Sequence, residues 1–192
     1  MRVVGVVLAG GLGSRMAGAD KALLILGQTT LIARAVHRLQ SQVTPVAISA
    51  NGDPARFGLA GVPVLPDAQQ MGPLSGLLAG MDWAAKIDAD AIVTVAVDTP
   101  FFPDDLVARL LQAGGGIAIA TCGGRAHPTF GLWPVALRGD LRDTLVQGQA
   151  KLMRFAQDAG AVQVAFDPAE PDPFWNLNTP DDLIRARAAL VP

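Results

Sequence analysis

Cysteine is almost missing from this chain of 192 residues: Cys122 stands alone. A disulfide within the chain is therefore excluded, and a zinc site built on cysteines is disfavoured. The same scarcity fits a reducing compartment. Excess charge is also lacking. A net charge of −2 gives no general attraction to nucleic acid or to an anionic membrane, so any polyanion must be bound by a local site. No apolar run reaches the length of a membrane span. The opening "MRVVGVVLAGG" breaks at Gly10-Gly11, too early for a signal peptide. Internal repeats and low-complexity linkers are missing, and the acidic, proline-rich "DPAEPDPF" is short enough to read as a loop. The expectation is a cytoplasmic monomer that meets neither nucleic acid nor membrane.

What is present is apolar and ordered. Hydrophobic residues make up 51% of the chain, enough for one domain over residues 1–192 with a substantial core. "VVGVVL" at residues 3–8 reads as a strand buried on both faces. "TTLIARAVHRLQSQ" has helical spacing with Thr29 or Thr30 as its cap. "VTPVAISAN" and "VPVLPD" read as strands, "PLSGLLAGMDWAAK" as a helix with Pro73 in its first turn, and "AIVTVAVD" as the clearest buried strand. "PDDLVARLLQAGG" reads as a helix, "GIAIAT" and "HPTFGLWP" as strands around the turn "CGGRA". "VALRGDLRDTLVQG" and "KLMRFAQDAG" read as helices, "AVQVAF" as a strand and "TPDDLIRARAAL" as a closing helix. The alternation β-α-β-β-α-β-α predicts a three-layer α/β/α protein with a mainly parallel, mixed sheet.

Ligands of such sheets bind beyond the carboxyl ends of the strands. The loop "LAGGLGSRMAGADK", residues 8–21, lies at such an end. It fails the dinucleotide fingerprint, because Met16 stands where the third glycine belongs, and it fails the P-loop, because Ala19 follows Gly18 where lysine is required. A plain turn with two solvated cations is one reading. The other is a cradle for a triphosphate: little side-chain bulk blocks its backbone N–H groups, Arg15 offers two donors, and Lys21 a point charge. Its length, beyond the usual 2–6 residues of a βα connection, favours the second.

Asp98 leaves the sheet at the end of "VTVAVD". It could be a turn former before Pro100. It could equally hold Mg²⁺ for a triphosphate, since that ion typically takes one or two carboxylates with phosphate oxygens and waters. Asn51 and Asp67 end the two strands between, at the same predicted edge, and each alone passes for a turn residue. His127 is expected in an exposed turn between strands. Asn176 and Asn178, two apart, face one way if extended, and Thr179 and Pro180 fit the start of a helix.

Together these segments resemble the molybdopterin nucleotidyltransferases, a branch with the Rossmann-like nucleotide-diphospho-sugar transferase fold. The first loop is similar to L-A-[GA]-G-x-S-x-R-M-G-x-D-K, with one residue extra at Ala17-Gly18. "DTPF" at Asp98 is similar to the family's D-x-P-F, "GPLSGL" to G-P-L-A-G-L, "HPT" to H-P-[TV], and "NLNTPDDL" to N-x-N-T-P-E-D-L. The resemblance implies transfer of GMP from GTP to the terminal phosphate of Mo-molybdopterin, with release of pyrophosphate. It implies nucleotide contacts from Leu8, Ala9, Gly10, Gly11, Gly13, Ser14, Arg15, Lys21, Asn51, Asp67, Gly72, Pro73 and Asp98. Arg15, Lys21 and Asp98 would be catalytic, with Asp98 holding Mg²⁺ or Mn²⁺ in its place. His127, Asn176 and Asn178 would face the pterin. Molybdoenzymes or cofactor chaperones would be met transiently. Related cytidylyltransferases tend toward D-x-D-T-P and L-A-A-G, so Asn176, Asn178 and Gly10 lean toward guanine. The alternatives are a molybdopterin cytidylyltransferase, a sugar-1-phosphate nucleotidyltransferase, or a GTP-binding adaptor without turnover.

Overall fold

A computed structural model describes residues 1–10, 15–16, 19–66 and 72–190. Its centre is the first strand, β1 (Val3–Leu8), whose side chains alternate between two cores: Val7 joins one, and Val4, Val6 and Leu8 the other. The chain then forms helix α1 (Leu31–Gln40), strands β2 (Val46–Ser49) and β3 (Val64–Leu65), helix α2 (Pro73–Lys86) and strand β4 (Ala91–Ala96). Helix α3 (Leu106–Leu111) leads to strands β5 (Ala118–Cys122) and β6 (Arg125–Pro134). Helices α4 (Arg138–Val146) and α5 (Leu152–Asp158), strand β7 (Val162–Phe166) and helix α6 (Pro180–Ala188) follow.

The seven strands form one sheet in the order β7-β5-β6-β4-β1-β2-β3. All neighbours are parallel except at β6, which runs against both β4 and β5. Side chains of α1, α3 and α6 pack into one core with Phe102, Phe130 and Phe174. Those of α2, α4 and α5 pack into the other, with Trp133. The expected three-layer α/β/α arrangement with a mainly parallel mixed sheet is what the chain adopts. Among the described residues no helix is long and apolar enough to cross a membrane.

Register positions the site. Leu8 pairs with Ser49 on one side and with Ala96 on the other, so β1, β2 and β4 end level with one another. Backbone bonds carry this alignment a step further: Ala9 N–H donates to Ser49 O at 2.9 Å, and Val97 N–H to Leu8 O at 3.1 Å. Gly10, Asn51 and Asp98 therefore emerge at one edge. Gly76 has a packing role at this edge. A Cβ there would lie 2.7 Å from Ser49 Oγ and 3.2 Å from Leu8 Cδ2, so its absence lets α2 settle on β1 and β2.

Two other differences have local causes. Helix α3 starts at Leu106, not at Pro103, because Asp104 turns outward to pair with Arg38 at 3.1 Å and Asp105 makes no side-chain cap bond. His127 is not in an exposed turn. Gly123 and Gly124 take that turn with positive φ, and His127 lies within β6, half-buried, stacked on Phe174 at 4.5 Å between ring centroids.

Candidate active site

The aligned strand ends open into a cleft of about 300 Å³ lined by Leu8, Ala9, Gly10, Lys21, Pro73 and Asp98 from the first half of the chain. Ala96, Val97, Thr129, Asn176 and Asn178 complete the wall. Lys21 is its electrostatic centre. The residue is buried, and Nζ donates to Asp98 Oδ2 at 3.0 Å and to Asn178 Oδ1 at 2.9 Å. A buried ammonium needs such partners, since desolvation without them costs several kcal/mol. Lys21 begins a 3₁₀ turn, Lys21–Leu23, whose N-cap Asp20 accepts from Ala22 N–H at 3.0 Å. Local capping thus fixes the backbone from which Lys21 reaches the cleft.

The two asparagines come from far along the chain, Asn178 lying 157 positions beyond Lys21. One backbone bond brings them in: Leu177 N–H donates to Asp98 O at 2.8 Å. Leu177 is fully buried, so the alternation of an extended segment turns Asn176 and Asn178 to the cleft. Their far side is pinned by a capping box. Asp182 accepts from Asn178 N–H at 3.0 Å, Thr179 N–H at 2.9 Å, Thr179 Oγ1 at 2.8 Å and Trp175 Nε1 at 3.3 Å. Burial pushes the Asp182 carboxyl up, but the donors from Thr179, Asn178 and Trp175 outweigh it and hold the group below its ordinary range.

Thr99, buried beside Asp98, donates its hydroxyl to Asn176 Oδ1 at 2.5 Å. Asp98 and the amide oxygens of Asn176 and Asn178 are hard oxygen donors, the kind that suits Mg²⁺ or Mn²⁺. Among the described residues no three His, Cys, Asp or Glu side chains gather as a metal cluster. An ion there would rest on Asp98, amide oxygens, water and the phosphates of a ligand.

The structure thus gathers Leu8, Ala9, Gly10, Lys21, Pro73, Asp98, Asn176 and Asn178 as the sequence leads one to expect. Asn51 ends the neighbouring strand, and Gly72 caps α2 just outside the lining. His127 is also outside the lining. Burial first, then the nearby Arg125, lowers its imidazole below the ordinary range, against a smaller upward pull from Asp172. Gly11, Gly13, Ser14 and Asp67 lie outside the described residues, as does the side chain of Arg15. The Arg15 backbone pairs with Asp20 in a short antiparallel ribbon. Sequence reasoning missed Thr129. The β5–β6 pairing slips between His127 and Gly131, and this bulge delivers Thr129 to the cleft while Phe130 enters the core. Pro128, which cannot donate to a ladder, was the available signal. Asp182 was missed as well, although its place three residues after Thr179 marks a capping box.

A crevice beyond level parallel strand ends, with a buried lysine against an aspartate, is a place where an α/β sheet can hold an anionic nucleotide. Residues 5–163 match the MobA-like NTP transferase domain. The chain is 53% identical over 191 residues to the molybdenum cofactor guanylyltransferase of Cereibacter sphaeroides strain ATCC 17029, covering 99% of this chain and 98% of the relative. The crystal structure of molybdopterin-guanine dinucleotide biosynthesis protein A from Archaeoglobus fulgidus superposes with a TM-score of 0.76 at 21% identity, over 98% of this chain and 97% of the other. The manganese complex of Rv0371C from Mycobacterium tuberculosis H37Rv superposes with a TM-score of 0.70 at 17% identity, over 99% and 100%. The chain belongs to the MobA-like NTP transferases, in the family of molybdenum cofactor guanylyltransferases.

Proposed function

We propose that the chain joins GMP from GTP to the terminal phosphate of Mo-molybdopterin and releases pyrophosphate. The observation that carries this reading is the convergence of Lys21, Asp98 and Asn178 within 3.0 Å at the mouth of the aligned strands. An acceptor phosphate oxygen attacks the α-phosphorus in line, forming a P–O bond as the bond to pyrophosphate breaks. The acceptor is already an anion, so no protein base is required. Catalysis then comes from positioning and charge. Gly10 and its neighbours seat the nucleotide, with Arg15 and the loop N–H groups around the triphosphate. Lys21 steadies charge on the departing pyrophosphate. Thr129, Asn176 and Asn178 form the acceptor side, with His127 beside it on β6.

A divalent ion, Mg²⁺ or Mn²⁺, would be held by Asp98 and would supply neutralisation of the phosphate charge. The hard oxygen donors of the cleft and the manganese named with a structural neighbour support this reading. We place the protein in the cytoplasm as a monomer that meets molybdoenzymes or cofactor chaperones transiently.

The test is pyrophosphate release with Mg²⁺, metal-loaded molybdopterin and GTP, CTP or UTP in parallel. GTP is expected to be preferred. Exclusive use of CTP overturns the nucleotide, and GTP binding without pyrophosphate release overturns the enzyme.

A further inference from the structure

Among the described residues Arg56 donates to none that line the cleft, yet it meets two segments beside it, one through a carboxylate and one through a backbone carbonyl. Its Nε donates to Asp20 Oδ2 at 3.0 Å. Its Nη1 donates to Asn51 O at 2.6 Å and to Asp53 O at 3.2 Å. The guanidinium lies over the Phe57 ring, 4.2 Å from its centroid, and Phe57 belongs to the core. One planar group therefore links the residue that caps the Lys21 turn to Asn51, two residues beyond the end of β2. Room has been left for it. Gly52 has φ +90°, and a Cβ there would lie 2.7 Å from Arg56 Nη1. The segment bearing Arg56 is itself a capped 3₁₀ turn, Pro54–Phe57, in which Asp53 accepts from Ala55 N–H at 2.9 Å.

Charge gives the contact a second consequence. Asp20 adjoins Lys21, so an unneutralised carboxylate there would oppose a triphosphate in the cleft. The guanidinium cancels it at contact distance. Lysine could supply the charge but not the fixed fork that reaches Asp20 and Asn51 together.

We propose that Arg56 is a positioning residue for nucleotidyl transfer, holding the Lys21 turn in register with the Asn51 end of the nucleotide site. The inference rests on the nucleotidyl-transfer reading above. The acceptor wall, formed by Thr129, Asn176 and Asn178, makes no contact with Arg56 in this arrangement.

The experiment compares wild type, Arg56→Ala, Arg56→Lys and Gly52→Ala in steady-state pyrophosphate release, varying GTP and molybdopterin separately. Arg56→Ala is expected to lower kcat/KM for GTP on the order of 10- to 100-fold, the usual effect of a misplaced catalytic group. The KM for molybdopterin is expected to stay near wild type. Arg56→Lys recovers only part of the loss, and millimolar guanidinium, far below denaturing concentrations, recovers part of it in Arg56→Ala. Gly52→Ala, which displaces the guanidinium while keeping it, lowers the same constant. A folded Arg56→Ala enzyme with wild-type kcat/KM for GTP overturns the proposal while leaving the nucleotidyl-transfer reading intact. So does a loss that guanidinium does not repair and that falls equally on both substrates. If wild type releases no pyrophosphate, the functional reading falls and the positioning role falls with it.

Discussion

Lys21 and Asp98 form a pair on which both stability and the proposed chemistry depend. The Lys21 side chain is 7% exposed and that of Asp98 22%, so removing the carboxylate strands a buried ammonium. Breaking such a pair from one side typically costs about 3–5 kcal/mol. Lys21→Ala and Asp98→Asn are therefore the informative variants: the first leaves only the partly exposed Asp98 carboxylate, and the second keeps an amide oxygen that can still accept from Lys21 Nζ. Each is expected to keep the fold by circular dichroism and lower turnover by orders of magnitude, as measured by pyrophosphate release. Near-normal turnover in either would remove the role assigned to that residue. His127 allows a test of a different kind. Its imidazole is held below the ordinary range chiefly by burial, so its neutral form is favoured by folding. The unfolded chain then takes up the proton first. The contribution of His127 is complete above the unfolded value of about 6.5 and is lost as pH falls toward the lower folded value. Thermal melts between neutral and mildly acid pH should show a smaller decline for His127→Gln than for wild type; parallel curves would refute this. Asp98 was legible because a charge at the end of an apolar strand stands out against its neighbours, and Lys21 because it is one of two cations in a loop with little side-chain bulk. Arg56 was not, because its meaning depends on Asp20, 36 positions away, and no local pattern encodes that meeting.

Elements were most legible where the period was strongest. Helix α2 has the limits its sequence suggests, Pro73 to Lys86, and Thr30 and Thr179 both act as N-caps. Elements governed by tertiary contacts were not legible. The bulge in β6 exists because Phe130 must reach the core beside Phe174, at 5.1 Å between ring centroids, while Pro128 breaks the ladder. The short ribbon pairing Ile25–Leu26 with Thr29–Thr30 is too brief to leave a hydrophobic period. Packing also decides Gly76, where propensity and space disagree. Alanine would gain about 0.5–1 kcal/mol in helix propensity, yet its Cβ would sit 2.7 Å from the buried Ser49 Oγ. Overpacking of this kind costs about 1–3 kcal/mol and should win. Gly76→Ala is thus expected to lower stability in urea unfolding, and adding Ser49→Ala, which removes that oxygen, should restore most of the loss. Additive losses in the double variant would show that the contact is not the cause.

Across the whole molecule, the cleft draws on two parts of the chain, and the backbone bond from Leu177 N–H to Asp98 O ties the second to the first at its mouth. On the function proposed above, the nucleotide side comes from β1, β2, β4 and the start of α2, and the acceptor side from the β6 bulge and residues 174–179. Parallel order in the first part was legible because buried strands alternate with helices, which admits few topologies. The placement of β7 beside β5, and of β6 between β5 and β4, was not, since hairpin and crossover connections are compatible with several orders. A cleft shared by two parts of one chain links ligand binding to global stability. GTP with Mg²⁺ would bind the assembled cleft and not the unfolded chain, so at a hundred times its dissociation constant it should stabilise the fold by about 2.7 kcal/mol. For a protein of this size that corresponds to a rise in Tm of roughly 5–10 °C. Chelation of the divalent ion should remove most of the rise, and Lys21→Ala should show little of it. CTP and UTP at the same concentration should give distinctly smaller shifts, because Gly10, Asn176 and Asn178 follow the guanine pattern. Differential scanning fluorimetry measures all of these in one series. A shift with CTP equal to that with GTP would show that the cleft does not select its base, and a GTP shift unchanged in Lys21→Ala would place the nucleotide elsewhere.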